Sequence, residues 1–466
     1  GMSGGGGPTN SGTLFDLAPD GSGFGVLRAF EGTNFDPMWD RSELAVGDGV
    51  LYGVTSKDGP TRRGYVFRLH PDGSGFEIVH AFQGGSQDGS YPKGSVTVTE
   101  GALFGTTPYG GERDRGTIFR LGPGGGQYQI LHHFQGSPAD GSYSLGPVIS
   151  DKGVLYGTTR GGGSSNESGV IFRISPDGTG YTIVKDFGSG GGWDPRAPLA
   201  MRESTIFGLT QTTAYCVRTD GTGFGVFHVF PAFKGDGKTP VGGFTVAGET
   251  LLGVTEKGGA NSLGTVYSMD LLGNGYRILH SFTGSLADGS QPHDSLLLLD
   301  GALYGTTQEG GASGRGVVFK IGTDGSGFQA IQSFRGGPGD GRNPEGSLVE
   351  LGGTLYGMTG LGGVGGSGVV FSLRNELTVA GQVIFEGTGL AGVTMLGLPG
   401  NPVTDATGRY SAIVPLGWSG TVTPSHAGFA FSPSQRAYAS LRIDQNGQDF
   451  EGVPDEPRAR RRLRRS

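Results

Sequence analysis

Along most of the chain apolar and polar residues alternate with a period of two, in runs of four to six residues bounded by Gly, Asp and Pro. Val66-Phe67-Arg68-Leu69 and Ile278-Leu279-His280-Ser281-Phe282 are such runs, and this alternation predicts short β-strands. The runs belong to a longer pattern. Leu103-Phe104-Gly105-Thr106-Thr107 is followed by Gly116-Thr117-Ile118-Phe119-Arg120-Leu121 and by residues 128–134, and a near copy spans residues 303–334. The residue before the glycine of the first motif falls at Tyr52, Phe104, Tyr156, Phe207, Leu252, Tyr304 and Tyr356, at intervals of 52, 52, 51, 45, 52 and 52. Seven copies at so regular a spacing define a structural repeat.

Each copy predicts four strands: one near residues 94–98, the Leu-Tyr-Gly-x-Thr segment, and the two alternating runs. Asp72-Gly73, Asp177-Gly178 and Asp324-Gly325 separate the third from the fourth and read as hairpin turns, because Asp and Gly tolerate positive φ. They lack the alternating acidic ligands and final Glu of an EF-hand, so they do not read as calcium loops. Four strands in about 52 residues match a propeller blade. The expected fold is all-β, a seven-bladed β-propeller with four-stranded blades followed by a small antiparallel β-sandwich. A solenoid is the rival, but it needs capping ends, and here the ends look complementary. Third- and fourth-strand copies open the chain at residues 12–17 and 24–30, while the last unit stops at Leu373 without a fourth strand. The N-terminus can donate that strand, and two copies compete for the third.

Past Leu373 the pattern changes. Residues 377–385, 393–395, 410–414 and 420–424 alternate like strands of a small sandwich, with Phe429, Phe431 and Phe450 as its expected core. The organisation is a flexible leader at 1–11, the propeller at 12–374, the sandwich at 375–453 and an Arg-rich tail at 454–466.

The Leu-Tyr-Gly-x-Thr, Gly-x-Val-Phe and Asp-Gly-x-x-Pro elements of residues 12–373 resemble the Gloeobacter/Verrucomicrobia-type (GloVer) tandem repeat. That resemblance implies a bacterial protein exported and attached at the cell surface, and it brings no catalytic motif. Thr404-Asp405-Ala406-Thr407-Gly408-Arg409-Tyr410, the run from Trp418 to Phe429 and the closing Gln448-Asp449-Phe450 resemble carboxypeptidase-regulatory-like domains, which implies a spacer or stalk.

Composition narrows the function. The chain holds 97 Gly in 466 residues, which the repeat explains as turns. One cysteine, Cys216, excludes an internal disulfide framework and any Cys-based zinc site. The formal charge is −7. The tail carries six Arg against Asp455 and Glu456, a net +4, so the remainder is −11. An acidic body argues against nucleic-acid binding, and no apolar run is long enough to span a bilayer. Gly1-Met2-Ser3 and Gly4–Gly7 read as a cloning remnant and leader, without an export signal. No cofactor or metal site is expected.

Loops on a rigid scaffold usually carry function. In a propeller, the loop between consecutive blades and the loop joining second and third strands share a face. The residue before the Pro of Asp-Gly-x-x-Pro aligns as Trp39, Tyr91, Tyr143, Ala197, Thr239, Gln291 and Asn343. Aromatics occupy blades 1 to 3 only. Such rings either pack under their own loops or present faces for sugar rings or partner side chains. The second-to-third loops add Lys57 and Asp58, then Tyr109, Glu112, Arg113, Asp114 and Arg115, then Arg160, Asn166 and Glu167; blade 4 is shortened to Gln211-Thr212-Thr213-Ala214. Near the central channel Arg41 and Lys93 are expected opposite His293, Asp294 and Glu345, as a structural ion-pair group, an acid–base pair or a metal site, for which one histidine and two carboxylates are a weak signal. His80, His132, His228 and His280 share one repeat position with Arg28, Lys185 and Gln332, read as the exposed side of an outer strand. The ligand-binding candidates are Trp39, Tyr91, Tyr143, Tyr109, Arg113, Arg115, Arg41, Lys93, His293 and Glu345, and no residue is assigned a catalytic role.

The reading is a secreted or cell-surface binding protein that takes a glycan or protein partner on the propeller's top face, with self-association through the C-terminal domain or tail. The alternatives are a structural subunit of an extracellular assembly and a polysaccharide hydrolase or lyase.

Overall fold

The computed structural model describes residues 24–30, 44–57, 59–164, 168–188, 194–195, 197–231, 235–374, 376–415, 417–439, 441 and 444–454. All regular structure among them is β-strand. No helix of the described residues is long and apolar enough to cross a membrane. They fall into two compact units, one of Gly25–Leu351 and Leu355–Ser372 and the other of Phe24, Gly352–Thr354 and the residues from Leu373 on.

In the first unit each sequence copy forms an antiparallel sheet: sheet 1 over residues 44–81, sheet 2 over 97–133, sheet 3 over 149–186, sheet 4 over 200–229, sheet 5 over 237–281 and sheet 6 over 289–333. Sheet 7 combines Gly341–Leu351, Thr354–Gly362 and Val369–Arg374 with the N-terminal strand Phe24–Ala29. Of the two third-strand copies, Val369–Arg374 is the one paired; residues 12–17 lie outside the described residues. The arrangement is a propeller-like repeat fold.

The repeated glycine has a steric cause. A Cβ on Gly105 would lie 2.5 Å from Cζ of Phe119, and one on Gly157 would lie 2.4 Å from Cζ of Phe172. The second strand must carry glycine wherever the third carries the aromatic that crosses it. The first strand of sheet 2 begins at Thr97 rather than Gly94. Gly94 instead approaches the next unit, where a Cβ would meet the Pro147 nitrogen at 2.5 Å.

Apolar side chains fill the spaces between consecutive sheets. Phe82, Val96, Leu103 and Phe119 lie between sheets 1 and 2, and Phe134, Val148 and Phe172 between sheets 2 and 3. The last sheet packs on the first in the same way, with Leu27, Phe30, Tyr356 and Val370 against Leu44, Leu51 and Phe67.

The shared histidine position is not an exposed edge. His80 stacks on Tyr128 of the next sheet with ring centres 3.9 Å apart, His132 on Tyr181 at 3.7 Å, His228 on Tyr276 at 4.2 Å and His280 on Phe328 at 3.8 Å. Arg28 lies over Phe76 at 4.3 Å and Lys185 over Phe224 at 4.4 Å. What His, Arg and Lys share is a flat or cationic group that an aromatic face attracts. The position is a clip between neighbouring sheets. The aspartate of Asp-Gly completes it: Nε2 of His80, His132 and His280 lies 3.2, 2.9 and 3.2 Å from Asp88, Asp140 and Asp288.

Sheet 6 carries Gln332 at this position. Its aspartate, Asp340, keeps the N–H groups of Arg335 and Gly341 but has no histidine at the clip position, and burial holds its carboxyl above the ordinary range. Gln332→His, aimed in the repeat register at Phe24 and Asp340, is expected to raise the unfolding free energy by about 1 kcal/mol. Chemical denaturation at neutral pH measures it.

The second unit pairs Glu376–Phe385 with Arg409–Pro415 and Thr388–Gly389, and Phe450–Pro454 with Phe429–Ser432; Thr394–Leu396, Gly420–Ser425 and Arg436–Tyr438 form a second sheet. The expectation of a wholly antiparallel unit needs correction, since Val383 and Ile384 pair in parallel with Phe450 and Glu451. Leu377, Val379, Val393, Met395, Val422 and Phe450 are buried. Phe429 and Phe431 are only half-buried, on a strand that pairs with Phe450–Pro454.

Candidate functional site

The residue before the repeat proline, whose place Ser144 takes after Tyr143, has positive φ in every unit where it is described, Thr239 included at 61°. Tyr91, Tyr143, Gln291 and Asn343 have φ of 57°, 58°, 56° and 53°. Their N–H groups donate to the carbonyls of Arg63, Arg115, Leu263 and Arg315 at 2.8–3.0 Å. In the fourth unit Asp194 takes this place, with φ 65° and its N–H on the Ser168 carbonyl, followed by Pro195. The alignment to Ala197 is therefore three residues out of register. Ala197 is buried between sheets 4 and 5, and Pro198 mimics the repeat proline in sequence.

Two loop families meet at this face. Gly89–Ser90, on the approach to sheet 2, pairs with Tyr109–Gly110 from the loop between its second and third strands. Gly141–Ser142 pairs likewise with Gly161–Gly162. The pairing brings Tyr91, Tyr109 and Tyr143 into a continuous arc, with ring centres 5.9 and 5.5 Å apart and planes at 89° and 64°. Tyr109 is 43% exposed, and the other two rings are half-buried.

The arc lines a cleft of about 780 Å³, with Lys57, Lys93, Arg115, Arg160, Pro108, Leu145 and Gly161 as the other walls. Tyr143 is held between two arginines. Its N–H donates to the Arg115 carbonyl at 2.9 Å, and its own carbonyl accepts the Arg160 N–H at 3.1 Å. The Arg115 guanidinium lies 5.6 Å from the Tyr143 ring centre. Arg160 Nε is 3.3 Å from the buried carboxylate of Asp194, which also accepts Nε2 of Gln211 at 2.9 Å. Gln211 sits in the shortened turn of sheet 4, closed by the Thr210 N–H on the Thr213 carbonyl at 2.8 Å. That turn thus fixes the aspartate that positions Arg160.

Of the candidates from sequence, Tyr91, Tyr109, Tyr143, Lys93 and Arg115 come together in the cleft. Arg113 is exposed on the same loop and is not among the residues lining it. His293 and Glu345 are not among the residues lining the cleft: His293 follows the strand Gly289–Pro292 of sheet 6, and Glu345 lies in the strand Gly341–Leu351 of sheet 7. His293 Nδ1 is 3.5 Å from Asp294, whose Oδ2 accepts the Gly346 N–H at 2.6 Å, and Glu345 is buried. Trp39, Arg41, Asp58, Asn166 and Glu167 lie outside the described residues. Lys57 and Arg160 stand in the sequence as ordinary loop charges. What singles Arg160 out is Asp194, hidden by the register slip.

A family model described as Gloeobacter/Verrucomicrobia repeat matches residues 1–222 and 210–401. No curated protein matches the chain. Among solved structures, an oligogalacturonate lyase in complex with manganese superposes with a TM-score of 0.48 at 12% identity, over 78% of this chain and 95% of that one. TolB from Acinetobacter baumannii gives 0.38 at 15% identity, over 61% and 63%. A nidogen/laminin complex gives 0.35 at 15%, over 52% and 81%. All three scores lie below 0.5, and no residue correspondence is taken from them.

Proposed function

The chain belongs to the Gloeobacter/Verrucomicrobia repeat family, and from that premise we propose a closed seven-bladed β-propeller, joined to a small β-sandwich, that binds a glycan or protein partner outside the bacterial cell or at its surface. The binding face is the aromatic cleft of the first three repeat units. The second unit and the Arg-rich end serve attachment or self-association. Closure is supported by the clip of Arg28 over Phe76 and by the pairing of the N-terminal strand in sheet 7.

One observation carries the binding role. Tyr91 and Tyr143 sit in the left-handed region, at φ 57° and 58°, where a bulky non-glycine residue costs about 1 kcal/mol or more. The other described units hold the same conformation with Asp194, Thr239, Gln291 and Asn343, so the turn belongs to the repeat, and among the described units only these two tyrosines put an aromatic ring on it. Two tyrosines grouped on one side, with Tyr109 exposed between them, are an asymmetry that the turn itself does not require, and strained positions gather at functional sites. Rings of this kind, one face apolar and the hydroxyl wet, suit stacking on sugar rings or partner side chains.

A glycan array with the full chain tests this. The wild type is expected to bind a restricted set of glycans, and Tyr91→Asn/Tyr143→Asn to lose that binding about ten-fold or more. Unchanged binding by the double variant would remove the cleft from the account.

A further inference from the structure

We infer that the ligand of this cleft is an acidic polysaccharide, a sugar chain bearing carboxylates or sulfates; this rests on the binding role of the tyrosine arc proposed above. Four cationic side chains, Lys57, Lys93, Arg115 and Arg160, line a cleft with three tyrosines, on a chain whose formal charge is −7. The cleft thus gathers cations on a chain whose net charge is negative. Of the neighbouring carboxylates, Asp114 Oδ1 accepts the Gly110 N–H at 2.7 Å, Glu112 Oε2 accepts Nε2 of Gln135 at 3.5 Å, and Asp194 pairs with Arg160 at 3.3 Å.

The two arginines are placed and not merely present. Both are hydrogen-bonded through their backbones to Tyr143, one on each side. The Arg115 guanidinium is drawn to the Tyr143 ring, and Arg160 is steadied by Asp194. Guanidinium groups fixed beside an aromatic face match a ligand that alternates apolar ring faces with planar or tetrahedral anions. A sugar chain with acidic substituents has that alternation. An acidic peptide supplies the anions without the ring faces, and a neutral glycan supplies the faces without the anions. A volume of about 780 Å³ is in the range of sites for drug-sized ligands, enough for several sugar rings.

Calorimetric titration of the full chain tests the inference with four polymers: alginate, carboxyl-reduced alginate, dextran sulfate and polyglutamate. At least one acidic polysaccharide is expected to bind about ten-fold or more tighter than the reduced polymer, and to weaken several-fold between about 50 and 300 mM salt. Arg115→Gln/Arg160→Gln is expected to reduce that affinity about ten-fold and to lower binding of the reduced polymer by less, with circular dichroism confirming the fold. Alginate against dextran sulfate distinguishes carboxylate from sulfate, and preference for either supports the inference. Equal, salt-insensitive binding of alginate and its reduced form, abolished by Tyr91→Asn/Tyr143→Asn, would overturn the acidic ligand while the site stands. Polyglutamate binding as tightly as the polysaccharides would overturn the glycan class. Absence of binding to every polymer and to the glycan array would sink both readings.

Discussion

Replacing Leu27 and Phe30 together by alanine is expected to lower the unfolding free energy by about 5 kcal/mol, on the order of a whole domain's stability. Both belong to the N-terminal fourth-strand copy and are 8% and 5% exposed. Phe30 meets the Phe67 ring edge-on at 5.7 Å, and its N–H donates to the Gly368 carbonyl at 3.1 Å. With Tyr356, Met358 and Val370 they form the apolar link between the last sheet and the first. Truncation there leaves a cavity, and it also weakens the strand that covers the edge of Val369–Arg374, which invites pairing with another chain. Equilibrium denaturation and light scattering report the two consequences. A loss under about 1 kcal/mol would mean that the N-terminal strand is an accessory to the ring.

Asp140→Asn is expected to cost about 3 kcal/mol or more and to flatten the acid limb of the stability profile. The Asp140 carboxylate is 6% exposed. It takes hydrogen bonds from Gln135 N–H at 2.7 Å, Gly141 N–H at 2.6 Å and the Tyr181 hydroxyl at 2.5 Å, with His132 Nε2 at 2.9 Å. An amide confronts one side of that cradle with its own donor. Burial pushes the carboxyl up, and the hydrogen bonds from His132, Tyr181 and Gln135 outweigh it, holding it below the ordinary range. Asp88 and Asp288 are lowered in the same way. A carboxylate whose folded value is depressed contributes stability that is present above the unfolded value, near 4. That contribution is lost as pH falls through the folded value. Wild-type stability should therefore fall below about pH 4, and the variant, weaker throughout, should lose less on acidification. Asp340, raised by burial, works in the opposite direction, losing stability as pH rises through its folded value. Parallel acid limbs for wild type and variant would show that the clips do not couple to pH.

The repeat was legible because sterics write it into the sequence. A glycine must face each third-strand aromatic, as at Gly105 and Phe119, and the Asp-Gly turns and alternating runs follow from backbone geometry. The chemistry of the clips was not legible, since each histidine's stacking partner lies in the following unit, as Tyr128 does for His80. A polar side chain on an outer strand therefore looked exposed. The tyrosine arc could be seen as an asymmetry among copies, which a purely structural repeat does not require. Its arginines could not be fully placed, because the Gly-rich stretch before Asp194 shifts the register by three residues and hides the aspartate that holds Arg160.

The central claim is that Tyr91 and Tyr143 are kept for a ligand and not for the fold. One double variant, Tyr91→Asn/Tyr143→Asn, measured for both unfolding free energy and glycan binding, tests it most directly. The account predicts an unfolding free energy within about 0.5 kcal/mol of wild type, since Asn343 already occupies the equivalent turn at φ 53°, together with loss of glycan binding. A loss of about 3 kcal/mol or more with glycan binding unchanged would contradict it and return the arc to loop packing.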